Sequence, residues 1–348
     1  MQPFENCPDC SSPVFPAVTR RQFVKTVGAT AAVVSTVAIP RVATAETAGA
    51  KSSPENLAKK IYQSFTPTQR EKVCFPWDYS DERGLLRMHV GNNWQITREK
   101  IASKFFTKDQ QELIEALYFG LYNPDWKDRI RKQLADDAGG YGKAQSIALF
   151  GTPDSEQFEF VMTGRHLTIR CNGHAAEHVA FGGPIFYGHA AHGFNEKPDH
   201  PDNIFWHQAL KANALYQMLD GKHRKEALIE QAPHESEVQF RQRAQIAGLP
   251  ASELSQDQKA HLQGVLEALI EPYRTSDRDE VRHCLAAQGG LDACRIAFFQ
   301  SDDLGNDKVW DIWRLEGPSF VWHFRGSPHV HVWVNVADDP SVKITATG

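Results

Sequence analysis

The stretch Pro328-His329-Val330-His331-Val332-Trp333-Val334-Asn335 alternates valine with histidine, tryptophan or asparagine along its length. Successive side chains of a β-strand point to opposite faces, so the three valines predict one buried face. His329, His331, Trp333 and Asn335 then share the other face. The pattern therefore predicts a strand that places two imidazoles side by side near the end of the chain.

Similar alternation elsewhere predicts the rest of a sheet. In the middle of the chain, Phe158, Phe160 and Met162 lead into residues 166–171 and an Asn172-Gly173 turn, which indicates a β-hairpin or the start of a meander. A further strand is predicted near residues 179–187. Near the C-terminus, strands are predicted over residues 295–299, 309–314, 320–324 and 329–335.

Two blocks of the chain carry helix signals. In the first block, a capping box precedes the periodic run Leu113, Leu117, Leu121, and Pro124 begins a helix that ends at Gly139. The second block runs from Asp202 to about residue 288. Capping boxes are predicted at residues 107–110, 255–258 and 276–279. We therefore expect an α+β fold, with two helical blocks on one face of a mainly antiparallel sheet whose strands come from the middle and the end of the chain.

The N-terminus predicts an export signal. Arg20 and Arg21 precede an uncharged apolar stretch from Thr26 to Ile39, and residues 43–45 offer a small-residue cleavage site. A stop-transfer anchor is the alternative, but the stretch is short and only mildly apolar. We predict that residues 1–45 are a twin-arginine signal peptide and that residues 46–348 form a single α+β domain. The twin-arginine translocase is then an export partner, the location is periplasmic or extracellular, and no stable membrane anchor is expected.

The charge balance argues against one class of function. The formal net charge is −5, and the predicted leader contains four basic and two acidic side chains, so its removal leaves a more acidic chain. Nucleic-acid binders usually carry a basic surface. We therefore expect no nucleic-acid partner.

Four cysteines follow the predicted leader. Cys284 and Cys294 flank two glycines that would let the chain turn back, so an oxidising compartment would permit a disulfide bridge between them. Buried free thiols are the equally plausible alternative.

The paired histidines predict a metal site. His329 and His331 lie about 7 Å apart along one strand face and can both reach one ion. His166 is a candidate third ligand, because in a strand it would share a face with Thr168 and Arg170. The solvent-exposed face of an edge strand, with purely structural histidines, is the alternative. His323 and Arg325, on the preceding strand, could support the ligands.

A loop of small residues, 187–196, supplies further candidates. It contains His189 as a possible fourth ligand and Glu196 as a candidate general base. Arg165 or Arg170 could bind an anionic substrate. One nearby match to the H-x-x-E-H motif, residues 174–178, lies in a strand and turn context, whereas the zinc peptidases that use this motif need it on a helix. No G-x-G-x-x-G or G-x-S-x-G motif is present.

Three groups of residues together resemble the bacterial domain-of-unknown-function family thirty-five hundred. They are Gly164-Arg165-His166-Leu167-Thr168, then Gly183-Pro184-Ile185-Phe186, and finally Gly317-Pro318 followed by His329-Val330-His331 and residues 338–340. The resemblance extends from about residue 55 over most of the chain. Arg165-His166 departs from the paired histidines of many relatives. The resemblance implies a shared fold and a shared functional region, without an assigned reaction.

These observations predict an exported metalloprotein that binds one zinc, copper or iron ion through His166, His189, His329 and His331. With an open coordination position it would be a metal-dependent hydrolase or oxidoreductase acting on a small substrate, with Glu196 and Arg165 as catalytic residues. A closed four-ligand site would instead indicate a non-catalytic periplasmic protein that binds a metal or a small molecule.

Overall fold

The architecture is an eleven-stranded sheet with helices packed on one of its faces. The computed structural model describes residues 53–153, 155–172, 178–190, 200, 202–304 and 309–348. These residues belong to one compact unit. The predicted leader, Glu196 and most of the H-x-x-E-H match lie outside the described residues.

The helices begin where local signals predict them in most cases. Thr107 caps α3 and Ser255 caps α7, each in a reciprocal capping box with the glutamine three residues later. Pro124 opens the turn that leads into α4, which ends at Gly139 in the left-handed conformation. The described helices are α1 (Pro54–Ser64), α2 (Pro67–Val73), α3 (Lys108–Gly120), α4 (Lys127–Ala138), α5 (Trp206–Met218), α6 (Gly221–Ala227), α7 (Gln256–Ile270) and α8 (Thr275–Ala287).

Fifteen strands are described: β1 (Cys74–Phe75), β2 (Ser80–Asp81), β3 (Gly84–Leu85), β4 (His89–Gly91), β5 (Gln145–Gly151), β6 (Phe158–Gly164), β7 (Leu167–Asn172), β8 (Ile185–His189), β9 (Leu228–Ile229), β10 (Leu249–Pro250), β11 (Arg295–Phe299), β12 (Ile312–Gly317), β13 (Phe320–Arg325), β14 (Val330–Val336) and β15 (Thr345–Thr347). The main sheet has the order β1-β5-β6-β7-β8-β14-β13-β12-β11-β10, with β9 also paired to β11. Its pairings are antiparallel except β1 with β5 and β9 with β11. This confirms the predicted α+β fold.

The two faces of the sheet differ in their cover. Val330, Val332 and Val334 belong to the large apolar core that the helices complete. Trp333, on the opposite face, belongs to a smaller cluster with Phe186 that loops and short strands cover. The alternation of residues 328–335 therefore predicts the faces correctly. We call the side that carries Trp333 the loop-covered face.

Some predicted boundaries were wrong. The second helical block is interrupted between α6 and α7, where the chain forms β9, β10 and irregular segments. Helix α8 begins at Thr275 after Arg274, with no side-chain cap, so the predicted box at residues 276–279 is wrong. Strand β12 begins at Ile312 rather than at residue 309. Strand β12 begins where its pairing with β11 and β13 begins, which a local pattern does not indicate.

The four described cysteines are free thiols, and Cys171, Cys284 and Cys294 are buried. The alternative of buried thiols thus holds for Cys284 and Cys294. Among the described residues, no helix combines the length and apolar character that a bilayer crossing would need.

Candidate metal site

Three buried histidines converge on the loop-covered face at one end of the sheet. The Nε2 atom of His331 lies 3.1 Å from Nε2 of His166 and 2.9 Å from Nε2 of His329. Each residue can offer a ligand atom, and the three atoms lie within 4.8 Å of one another. This group, which we call the histidine trio, could hold a metal ion.

His329 and His331 reach the site from one strand end. His331 is the second residue of β14, and His329 directly precedes that strand. Alternation along the strand turns both rings to the same side, with their centroids 4.5 Å apart. His329 and His331 thus share one side of the strand, as the sequence predicts.

His166 arrives from a tight turn rather than from a strand. Residues Arg165 and His166 connect β6 to β7, since Gly164 pairs with Leu167 across the hairpin. His166 has φ +48°, in the left-handed region that bulky residues rarely adopt. Holding such a residue there costs of order 1–3 kcal/mol, and such strain concentrates at functional sites.

Gly188 makes room for the His166 ring. It pairs with His331 across β8 and β14. A Cβ atom at Gly188 would lie 2.4 Å from the carbonyl oxygen of Val330 and 3.3 Å from two ring carbons of His166. A side chain at position 188 is therefore incompatible with this packing of the ring.

A carboxylate fixes the His166 ring from behind. Asp137, at the end of α4, lies 2.7 Å from His166 Nδ1 and is 1% exposed. Its other oxygen accepts a bond of 3.1 Å from Arg165 Nε. Burial alone would raise the pKa of Asp137, but His166 and Arg165 together hold it well below the usual range. The carboxylate is therefore ionised and can only accept hydrogen bonds.

A second carboxylate, that of Glu235, holds the His331 ring through its Nδ1 atom. Both oxygens of Glu235 lie 3.0 Å from His331 Nδ1. Arg325, which faces His331 across β13 and β14, forms an ion pair of 3.1 Å with Glu235. The predicted supporting role of Arg325 thus appears as a contact with Glu235, whereas His323 accepts a hydrogen bond from Arg314.

The tautomers follow from these contacts. A carboxylate accepts a hydrogen bond, so Nδ1 carries the proton in both His166 and His331 and Nε2 presents a lone pair. Burial lowers the pKa of His166, against the pull of Asp137, and holds the pKa of His331 well below its usual range. Both rings are therefore neutral, the form that binds metals.

Two of the three nitrogen pairs also have a spacing that suits a shared ion. Imidazole nitrogens at about 2.0 Å from a tetrahedral ion would stand roughly 3.3 Å apart. The two Nε2 separations of 3.1 and 2.9 Å are close to this value. Histidine ligands whose second nitrogen donates to a carboxylate are also the usual arrangement around zinc.

Two of the other predicted site residues, His189 and Arg170, lie away from the trio. His189 is buried and pairs with Val330, so the register places it on the helix-covered face, opposite the trio. Arg170 donates to the carbonyl oxygens of Arg87, Pro184 and His89, which makes it a structural residue. Arg165 binds Asp137. Its predicted contact with an anion, like the ligand role of His189 and the role of Glu196, stays a prediction.

Sequence reasoning missed Asp137 and Glu235. Asp136 and Asp137 both occupy the last turn of α4, where the helix dipole disfavours negative charge. This local conflict was a signal that one of them serves a partner outside the helix. Glu235 lies in the irregular segment between β9 and β10, and no periodic pattern marks it.

Comparison with known proteins identifies the family of the chain. The family model described as a protein of unknown function (DUF3500) matches residues 47–337, which is most of the chain. No curated protein and no solved structure matches it. The match includes all three histidines of the trio together with Asp137 and Glu235. The chain therefore belongs to the DUF3500 family.

Proposed function

We propose that this protein is an exported metal-dependent hydrolase that binds a zinc ion through His166, His329 and His331. One observation carries the proposal. The Nδ1 protons of His166 and His331 are committed to Asp137 and Glu235, so two Nε2 lone pairs face each other at 3.1 Å. Two lone pairs at this distance repel unless a proton or a metal cation lies between them, and burial of both rings opposes the extra proton.

The composition of the trio favours zinc and hydrolysis. Iron sites in oxygenases usually combine two histidines with a carboxylate, whereas this group supplies three imidazoles. Catalytic zinc sites typically have three protein ligands, and the ion then lowers the pKa of a bound water and polarises a carbonyl or phosphoryl group. Asp137 and Glu235 would hold the ligand rings in place, and Glu196 is the proposed general base.

Elemental analysis tests the proposal. The mature protein, purified from the periplasm, should contain one zinc per chain, and a His329→Ala/His331→Ala variant should contain none. His283→Ala, which removes an exposed histidine from α8, should keep the full amount. A metal-free wild-type protein would refute the metal site.

A second measurement separates an enzyme from a metal-binding protein. With cobalt in place of zinc, azide should change the visible spectrum if a coordination position is open. An unchanged spectrum would indicate a closed site and favour the non-catalytic alternative.

Export is proposed from the leader alone. An Arg20→Lys/Arg21→Lys variant should remain in the cytoplasm with its leader uncleaved, while the unmodified chain should reach the periplasm through the twin-arginine translocase. Normal export of the variant would contradict this route.

A further inference from the structure

A cavity of about 220 Å³ lies on the loop-covered face, apart from the histidine trio. Its floor is formed by Ala297 and Phe299 of β11 and by Arg314 and Glu316 of β12, and Ala247 lies at its edge. A water molecule occupies about 30 Å³ in the liquid, so the space suits several waters or one small organic molecule.

Arg314 leaves one charged donor unused at this cavity. The side chain is 2% exposed. Its Nε donates to His323 Nδ1 at 3.1 Å, and its Nη1 donates to the carbonyl oxygen of Glu237 at 2.9 Å. Its Nη2 is buried and has no hydrogen-bond partner among the described residues. Leaving a buried charged donor in this state is unfavourable, and an acceptor supplied by a ligand would remove that cost.

Glu316 leaves an acceptor unused beside it. Its Oε2 is 3.4 Å from Arg314 Nη1, while its Oε1 is buried without a hydrogen-bond partner in the described part of the chain. Arg241 Nε lies 3.8 Å from that oxygen, and Arg241 also pairs with Glu237 at 2.9 Å. The two cations, Arg314 and Arg241, are thus balanced by the carboxylates of Glu316 and Glu237. This charge balance favours a neutral ligand over a charged one.

We propose that the cavity is a second binding site, for a small neutral molecule with an amide-type edge. Its carbonyl oxygen accepts from Arg314 Nη2, its N–H donates to Glu316 Oε1, and its apolar body packs against Phe299 and Ala297. The site is separate from the trio and does not depend on the proposed hydrolase activity.

Calorimetry with three probes of similar size tests the proposal. Benzamide should bind the mature protein, while benzoate and benzylamine should bind at least tenfold more weakly. Tighter binding of benzoate would mean an anion site and overturn the proposal. Binding of none of the three would mean that water alone fills the cavity, which also overturns it.

Variants locate the binding. Arg314→Lys keeps the charge but shortens the donor, and should weaken benzamide binding by on the order of tenfold or more. Ala247→Phe, at an exposed edge position, should block the cavity without disturbing the buried pair. Ala116→Phe, at an exposed position on α3, is the matched control and should leave the affinity unchanged. Unaltered benzamide binding by Ala247→Phe would place the ligand elsewhere and refute the site.

Discussion

The Nε2 atoms of His166 and His331 lie 3.1 Å apart although 165 positions separate the two residues in the chain. Each ring is held from its other nitrogen by a buried carboxylate, Asp137 for His166 and Glu235 for His331. Neither ring can turn away without breaking such a bond. The pair is therefore preorganised for a cation, because its two lone pairs are kept facing each other.

Removing the charge of Asp137 should weaken metal binding without removing a ligand. Asp137→Asn can no longer anchor the Nδ1 proton of His166 as a carboxylate does, and the expected loss of zinc affinity is about 10- to 100-fold. Competition with a chromogenic chelator measures this affinity. Asp136→Asn is the matched control, because Asp136 pairs with Lys132 at the surface. Equal affinities of the two variants would argue against the role of Asp137.

Glu235 offers an independent test on the other ring. Glu235→Gln should lower the zinc affinity by a similar factor, since His331 loses its ionised acceptor and Arg325 loses its counter-ion. Glu237→Gln changes an exposed carboxylate in the same segment and should have little effect. If the Glu237 variant lost as much affinity as the Glu235 variant, a general disturbance of the segment would be the explanation.

Gly188→Ala should damage both the fold and the site. The new methyl group would lie 2.4 Å from the Val330 carbonyl oxygen and would press on the His166 ring. We expect a loss of about 1–3 kcal/mol in the free energy of unfolding, as for other overpacked positions, together with weaker zinc binding. Gly221→Ala is the control, because its added carbon would meet no atom within 4 Å. Denaturant titration of both variants measures this loss. A Gly188 variant with an unchanged free energy of unfolding would contradict the packing described for His166.

Acidification should destabilise the metal-free protein. Burial lowers the pKa of His89 from 6.5 to about 4 and holds that of His331 well below its usual range. At these two histidines the unfolded chain therefore binds more protons than the folded chain below about pH 6.5, whereas Glu159 and Asp277, whose pKa values burial raises to about 7, act in the opposite direction. Stability from these neutral rings is fully present above that pH and is lost as the pH falls toward about 4.

Unfolding titrations at several pH values, after chelation of the metal, measure the slope of the free energy of unfolding against pH. His89→Gln should flatten the slope, because one buried ring no longer has to stay neutral on folding. If the free energy of unfolding stays constant or increases as the pH is lowered from 6.5 to 4, the buried histidines do not dominate the dependence of stability on pH.

The strand pattern of the trio was readable because alternation is a local property. The spacing of His329 and His331 with the intervening valines predicts both the strand and the shared face of the two rings, and the structure confirms both. His166, the predicted candidate for a third ligand, does lie beside these two histidines, but not in the strand where the pattern places it. It lies in the turn between β6 and β7, with a positive φ that no strand pattern can indicate.

The carboxylates that hold His166 and His331 could not be predicted, because no local pattern links them to these rings. Asp137 comes from the end of a helix and Glu235 from an irregular segment, and both reach the trio only after the sheet has brought β8 and β14 together. The fourth predicted ligand illustrates the same point. His189 is one residue from Gly188, and that single step of register moves its side chain to the helix-covered face.

The sequence by itself determined the α+β class, the alternating faces of the late strands and the shared face of His329 and His331. These features depend on local periodicity and on side-chain chemistry, both of which are written in short stretches of chain. Only the tertiary structure decided which carboxylates hold the rings, which face His189 occupies and where the second cavity lies. Those relationships join residues far apart in sequence, and they are fixed by strand register and packing, which no single segment encodes.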